Sequence, residues 1–147
     1  MTNALRVERA GGVARVWLDR PDVRNALNGA LIRELGAAFT ALTAEAEAGS
    51  VRAIVLGGSG KAFCAGADLA FMREIGTYTW AQNRADAETL AAMLWSMFSC
   101  PVPVIARTTY GLIVAGNRPR RDSLRQKVTP STATRISHTA ARPRPPA

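Results

Sequence analysis

Between Arg52 and Gly57-Gly58 stand four consecutive apolar residues, Ala53-Ile54-Val55-Leu56. A run so short and so evenly apolar predicts a strand covered on both faces, which is the setting of a parallel sheet. Parallel neighbours cannot be joined by a tight turn. They need crossover connections of a dozen or more residues, usually helical. The rest of the chain therefore has to supply helices between its strands.

It does so in order. Leu5 to Arg9 reads as a short strand, and Ala14-Arg15-Val16-Trp17-Leu18 alternates, with Ala14, Val16 and Leu18 on one face and Arg15 and Trp17 on the other. Gly11-Gly12 between them predicts a hairpin. Arg20-Pro21-Asp22 stops the second strand. Asn28 is a good N-cap for a helix over 28–48, with Leu27, Leu31, Leu35, Phe39 and Leu42 on one stripe and Gly49 at its end. A second helix is expected over 81–99, with Leu90, Leu94, Met97 and Phe98 on its buried side. Pro101 ends it, and Val102 to Ala106 reads as another short strand. The order β-β-α-β-α-β predicts a layered α/β fold with a parallel-rich sheet.

Composition divides the chain in two. The net charge of the 147 residues is +8. Residues 1–106 carry 10 Lys/Arg and 10 Asp/Glu, which cancel, whereas 107–147 carry 9 Lys/Arg against Asp122 and hold the whole excess. The first part is a neutral segment able to pack a core. The second, beyond Leu112-Ile113-Val114, is mostly Arg, Pro, Thr, Ser and Ala without periodicity, and such a stretch cannot offset its ordering entropy by burial. The expected division is thus 1–106 as the folding part and 107–147 as a disordered basic tail. No stretch approaches the ~18 apolar residues of a membrane-spanning helix, and the N-terminus lacks the apolar block of a signal peptide. The cytoplasm is the expected location. Cys64 and Cys100 make no paired-cysteine motif, so neither a disulfide scaffold nor a zinc ribbon is expected. His138 stands alone in the tail, which argues against a His-based triad or a metal site. Trp17, Trp80 and Trp95 are scattered and read as packing residues.

The stretch richest in chemistry follows the apolar strand: Ser59-Gly60-Lys61-Ala62-Phe63-Cys64-Ala65-Gly66-Ala67-Asp68-Leu69. The small residues Ala65, Gly66 and Ala67 let a ligand approach the backbone. Asp68 can cap a following helix, leaving nearby N–H groups to meet an anion or a developing oxyanion. The same composition also suits a plain strand-to-helix turn, and the residues alone leave both readings open. Cys64 reads as an apolar lining residue rather than a nucleophile.

Lys61-Ala-Phe-Cys-Ala-Gly-Ala-Asp-Leu69 resembles the signature of the crotonase (enoyl-CoA hydratase/isomerase) superfamily. Arg20-Pro-Asp-Val-Arg-Asn-Ala-Leu-Asn28 and Cys100-Pro-Val-Pro-Val-Ile-Ala106 agree in order and spacing, so the similarity covers roughly 5–106. Within the superfamily, Ala67-Asp-Leu-Ala-Phe-Met72 with Asn83, Asp86-Ala87 and Leu90-Ala91 is most similar to methylglutaconyl-CoA hydratases. The resemblance implies an incomplete crotonase-like ββα spiral. It also implies an acyl-CoA thioester as substrate, coenzyme A being part of that substrate, with no separate cofactor and no metal. By the same resemblance, the N–H of Ala67 is one of two donors to the thioester oxygen. Arg24, Ala26, Ala65, Asp68 and Leu69 then line the pocket for the adenine and pantetheine, and Arg24 has a guanidinium suited to phosphate. Intact members typically form homotrimers or hexamers.

The resemblance also shows what is missing. The second donor belongs to a glycine-rich segment just after Ala106, but the chain reads Arg107-Thr-Thr-Tyr-Gly-Leu-Ile-Val-Ala-Gly-Asn117, and Asp122 is the sole acid after Glu88. No residue is assignable as the general acid/base that hydration needs. An Arg-rich tail of this composition is what GC-rich coding sequence yields out of frame, which makes the chain a truncated, inactive member. The alternatives are a non-catalytic protein whose basic tail binds nucleic acid through phosphate contacts, or a solvated tail without a role. The absence of any aromatic residue after Tyr110 speaks against nucleic acid as a partner.

Overall fold

The structure, a computed structural model, describes residues 4–108 and the backbone of 111–115. Gly11 and Gly12 both take positive φ, 57° and 79°. That backbone matches the twist of flanking strands in a two-residue turn. It folds β1 (Leu5–Ala10) antiparallel onto β2 (Val13–Leu18), with Ala10 opposite Val13. Along β2, Ala14, Val16 and Leu18 are buried, and Arg15 and Trp17 lie on the other face.

The helix that follows, α1 (Gly29–Glu47), starts where the sequence places it. Asn28 Oδ1 accepts from the Leu31 N–H at 2.9 Å. Leu31, Ile32, Leu35, Phe39 and Leu42 form its buried stripe. Leu27 lies outside the helix and serves the site described below. Gly49, at φ 79°, turns the chain into β3 (Ala53–Gly58). This strand runs parallel to β2, from Val13 opposite Ala53 to Leu18 opposite Gly58. Ile54 is fully buried, while Leu56 on the same face and Val55 on the other are half-buried among the described residues, so both faces are covered only in part where the sequence suggested full cover. The strand also continues through Gly57 and Gly58, which the sequence reading took as its boundary. The reason is steric. The Trp17 ring lies over Gly57, and a Cβ there would collide with the ring. Gly57 is thus a seat for an aromatic side chain rather than a breaker.

After β3 come α2 (Leu69–Ile75), α3 (Trp80–Phe98) and β4 (Val104–Thr108), which is parallel to β3. Thr79 and Gln82 cap α3 reciprocally. The sheet does not stop at Ala106. A fifth strand, β5 (Gly111–Ala115), returns antiparallel along β4, with Thr108 opposite Gly111. The order is β1-β2-β3-β4-β5, with two parallel pairings in the centre and an antiparallel pairing at each side; β1 to β4 are parallel-rich as expected, and β5 makes the whole sheet mixed. Residues from 116 onward, on which the readings of a disordered, out-of-frame or nucleic-acid-binding tail depend, lie outside the described residues.

Helix α3 corrects the expected burial. It meets α1 along one narrow stripe, where Met93 is buried beside Gly36 and Leu90 and Met97 are partly buried. Leu94 and Phe98 sit one position round from that stripe and are 53% and 65% exposed. Trp80 and Trp95 are likewise exposed, Trp95 with its ring centroid 5.5 Å from that of Phe98, so of the three tryptophans only Trp17 packs as expected. No helix among the described residues is long and apolar enough to cross a membrane.

Across the outer face, Arg6, Trp17, Gly57 and Arg107 occupy one row of register. The guanidinium carbons of Arg6 and Arg107 lie 5.9 and 5.4 Å from the Trp17 ring centroid, within cation–π range. Gly57→Ala should displace the indole from between them and cost about 1–3 kcal/mol through overpacking. Urea denaturation checks this: the midpoint should fall at unchanged slope.

Candidate functional site

Because β2 and β3 are parallel, their C-terminal ends lie side by side, and the loops that leave them meet. The first loop bends through a 3-10 turn at Pro21–Val23, and then Arg24 and Asn25 both take left-handed backbone, φ 52° and 58°. The second is the small-residue loop, 59–68. Backbone bonds join the two: Ala65 N–H to Arg24 O at 3.0 Å, Leu27 N–H to Gly66 O at 2.7 Å, and Asp68 N–H to Leu27 O at 2.9 Å. Leu27 thus forms an isolated parallel bridge opposite Ala67. In that geometry Leu27 bonds the two residues flanking Ala67 and leaves the Ala67 N–H out. Of the four successive amides from 65 to 68, Gly66 N–H reaches Cys64 Sγ at 3.4 Å, Ala65 and Asp68 bond the first loop, and Ala67 alone has no acceptor among the described residues.

Ala67 is exposed, on the wall of an open cleft of about 470 Å³. The six residues nominated from the sequence, Arg24, Ala26, Ala65, Ala67, Asp68 and Leu69, all line this cleft, together with Asp22, Val23 and Ala70. Arg24 is exposed at its rim, and Leu69 is 74% exposed, an unusual setting for a leucine. The cleft therefore offers the Arg24 cation beside the Asp22 and Asp68 carboxylates, largely apolar walls and, in the exposed Ala67, an N–H without an acceptor among the described residues. Cys64 does not line it. Its side chain packs against the core instead, and its sulfur accepts the Gly66 N–H. Among the described residues, no group of three or more His, Cys, Asp or Glu side chains could hold a metal.

Two residues that the sequence reading passed over organise the loops. Arg20, read there as part of a strand stop, donates through Nη1 to Ala26 O at 2.6 Å and through Nη2 to Asp68 Oδ2 at 2.8 Å. Asn25 is fully buried and satisfied on both ends of its amide. The available signal was Asn in a turn after a helix-breaking Pro, since Asn is among the few side chains that tolerate left-handed backbone.

Asp68 caps α2, with Oδ1 accepting from Ala70 N–H at 2.9 Å and Phe71 N–H at 3.4 Å. Both its carboxylate oxygens are thereby occupied. The Arg20 hydrogen bond, with help from the two backbone donors, holds its pKa below the usual carboxylate value despite partial desolvation. A lowered native pKa stabilises the fold at pH values above the unfolded-state pKa, and the gain is lost as pH falls through the native one. In Asp68→Asn this acid-side loss should flatten. Thermal melts of both proteins from pH 6 to pH 2 check it: the wild-type melting temperature should fall more steeply below about pH 4.

Known proteins identify the family and the fold. The model of the enoyl-CoA hydratase/isomerase family matches residues 8–117. A Rhodobacter capsulatus protein named "Probable enoyl-CoA hydratase" is 41% identical over 114 residues, 78% of this chain and 41% of the relative. Among solved structures, an enoyl-CoA hydratase from Shewanella pealeana superimposes with a TM-score of 0.68 at 32% identity, over 72% of this chain and 39% of that one. An enoyl-CoA hydratase from Mycobacterium smegmatis gives 0.65 at 38% identity, over 73% and 40%. The chain thus spans about two-fifths of the length of these relatives, and its described part is a mixed α/β portion of their fold. It belongs to the enoyl-CoA hydratase/isomerase family, in the crotonase superfamily, of which it represents the N-terminal portion.

Proposed function

We propose that the cleft binds an acyl-CoA thioester, with the Ala67 N–H donating to the thioester oxygen and Arg24 facing the CoA phosphates. The observation that carries this reading is the Leu27 bridge, which leaves the Ala67 amide unpaired and exposed on a cleft wall. An amide fixed this way can stabilise enolate-like charge as it develops. In a complete chain the site would serve hydration of a 2-enoyl-CoA, or the related isomerisation, in fatty-acid or branched-chain amino-acid breakdown in the cytoplasm. Coenzyme A arrives as part of the substrate, with no further cofactor. A homotrimer or hexamer is the assembly that suits the complete protein.

This chain by itself is proposed to be a truncated and inactive member. Asp68, the buried acid beside the cleft, is tied to Arg20 and to the start of α2, so it is not placed to move a proton. Where the resemblance calls for a glycine-rich second donor, Gly111–Ala115 instead pair antiparallel with β4 as β5. A missing donor typically costs ~10²–10³ in rate, and a missing acid/base group a further ~10²–10⁴.

Calorimetry with acetyl-CoA tests the binding. Ala67→Pro deletes the donor but spares the Leu27 bridge, which uses the neighbouring residues, and should weaken binding by about tenfold. Unchanged affinity would remove Ala67 from the site. Turnover is the second test. The 147-residue chain should show no hydration of a 2-enoyl-CoA above background, whereas a longer chain with its frame restored after Ala106 should. Comparable rates from the two would overturn the inactivity.

A further inference from the structure

We propose that Asn25 is a positioning residue that sets the direction of the Ala67 N–H, an inference that rests on the acyl-CoA reading of the cleft. Asn25 and Asp68 are the buried polar or charged side chains among the described residues. A buried amide is costly unless every group on it is bonded. Asn25 meets that demand in full. Its Oδ1 accepts the Arg20 N–H at 2.9 Å, and its Nδ2 donates to Ser59 O at 2.9 Å and Ala62 O at 2.8 Å. It does so at φ 58°, a backbone conformation that disfavours most side chains.

The position explains why the arrangement is kept. The β2–β3 ladder ends with Leu18 opposite Gly58, and Ser59 N–H makes one last bond to Leu18 O at 2.8 Å. Beyond this point the two chains diverge, and the Asn25 side chain fills the fork. Gly58 makes room for it: a Cβ there would fall 2.7 Å from Asn25 Nδ2. The side chain of Asn25 therefore anchors the beginning of the small-residue loop, at Ser59 and Ala62. Its backbone neighbours, Arg24 and Leu27, grip the end of the same loop, at Ala65, Gly66 and Asp68. Ala67 lies inside the gripped segment without being bonded by it. Its N–H is aimed by what holds both ends of the loop, and the element common to both ends is the segment Arg24 to Leu27, which the left-handed turn at Arg24-Asn25 sets in place.

A positioning role differs from a merely structural one in which ligand atom loses its partner. The test compares acetyl-CoA with S-ethyl-CoA, the thioether that lacks the carbonyl oxygen, by calorimetry on the full 147-residue chain. The wild-type chain should favour acetyl-CoA. Asn25→Gly retains the left-handed backbone and removes the amide. It should weaken acetyl-CoA binding about five- to tenfold and leave S-ethyl-CoA within about twofold. Equal weakening of both ligands, or a preference retained in the variant, overturns the proposal alone. A wild-type chain that does not favour acetyl-CoA overturns the Ala67 reading and this proposal with it. If circular dichroism shows that Asn25→Gly does not fold, the wild-type chain still decides. The Asn25 side-chain NH₂ should exchange with solvent far more slowly than those of solvated amides, and the Ala67 amide resonance should shift with acetyl-CoA but not with S-ethyl-CoA. Rapid exchange at Asn25, or equal shifts with the two ligands, overturns the proposal.

Discussion

The parallel pairing of β2 with β3 is the constraint from which the site follows. An antiparallel pair would have put the two strand ends on opposite sides of the sheet. In parallel register, Leu18 and Gly58 finish together, and ligand sites on open α/β sheets gather where strand ends and their loops meet in this way. The crossover between the strands is α1, whose stripe of Leu31, Leu35, Phe39 and Leu42 seals Ala14, Val16 and Ile54 from water. Burial on one side of the sheet thereby fixes the height and direction from which both loops depart.

Where the loops meet, the backbone groups are shared out unequally. Leu27 gives both its N–H and its C=O to the small-residue loop, and the intervening residue is left with neither bond. Side chains reinforce the division. Arg20 spans Ala26 and Asp68, and Asn25 spans Arg20, Ser59 and Ala62. An unsatisfied N–H is tolerable at Ala67 because that position is open to solvent; the same group inside the core would be costly. Exposure and lack of a partner together make a donor ready for an incoming oxygen.

Much of this could be read from local chemistry. The Gly11-Gly12 hairpin, the Asn28 cap, the boundaries of α1 and α3 to within one residue and the apolar β3 strand all depend on short stretches whose physics is self-contained. The misreadings share a cause, which is contact with something distant in sequence. Gly57 and Gly58 look like strand breakers until Trp17 and Asn25 come to lie against them. Leu94 and Phe98 look buried because helical periodicity says which residues share a face, not which face meets α1. Gly111–Ala115 contains an apolar run too short to announce itself, and it becomes a strand by pairing with β4. At the site, the small-residue loop and its aspartate were legible as a motif. The roles of Arg20 and Asn25 were not, because each bonds partners up to 48 and 37 residues away.

The mixed sheet also has an order in time. Its outer pairings, β1 with β2 and β4 with β5, join neighbours across short connections and close on the microsecond scale of hairpins. Its central pairings bring together residues 40 and 50 positions apart, Val13 with Ala53 and Ile54 with Val104. These contacts must meet the loop-closure entropy before any ladder bond repays it. The two edges can therefore form early and locally, while the centre, where the strand ends and the cleft lie, is the slow step. A sheet built inward from its edges completes its binding loops last.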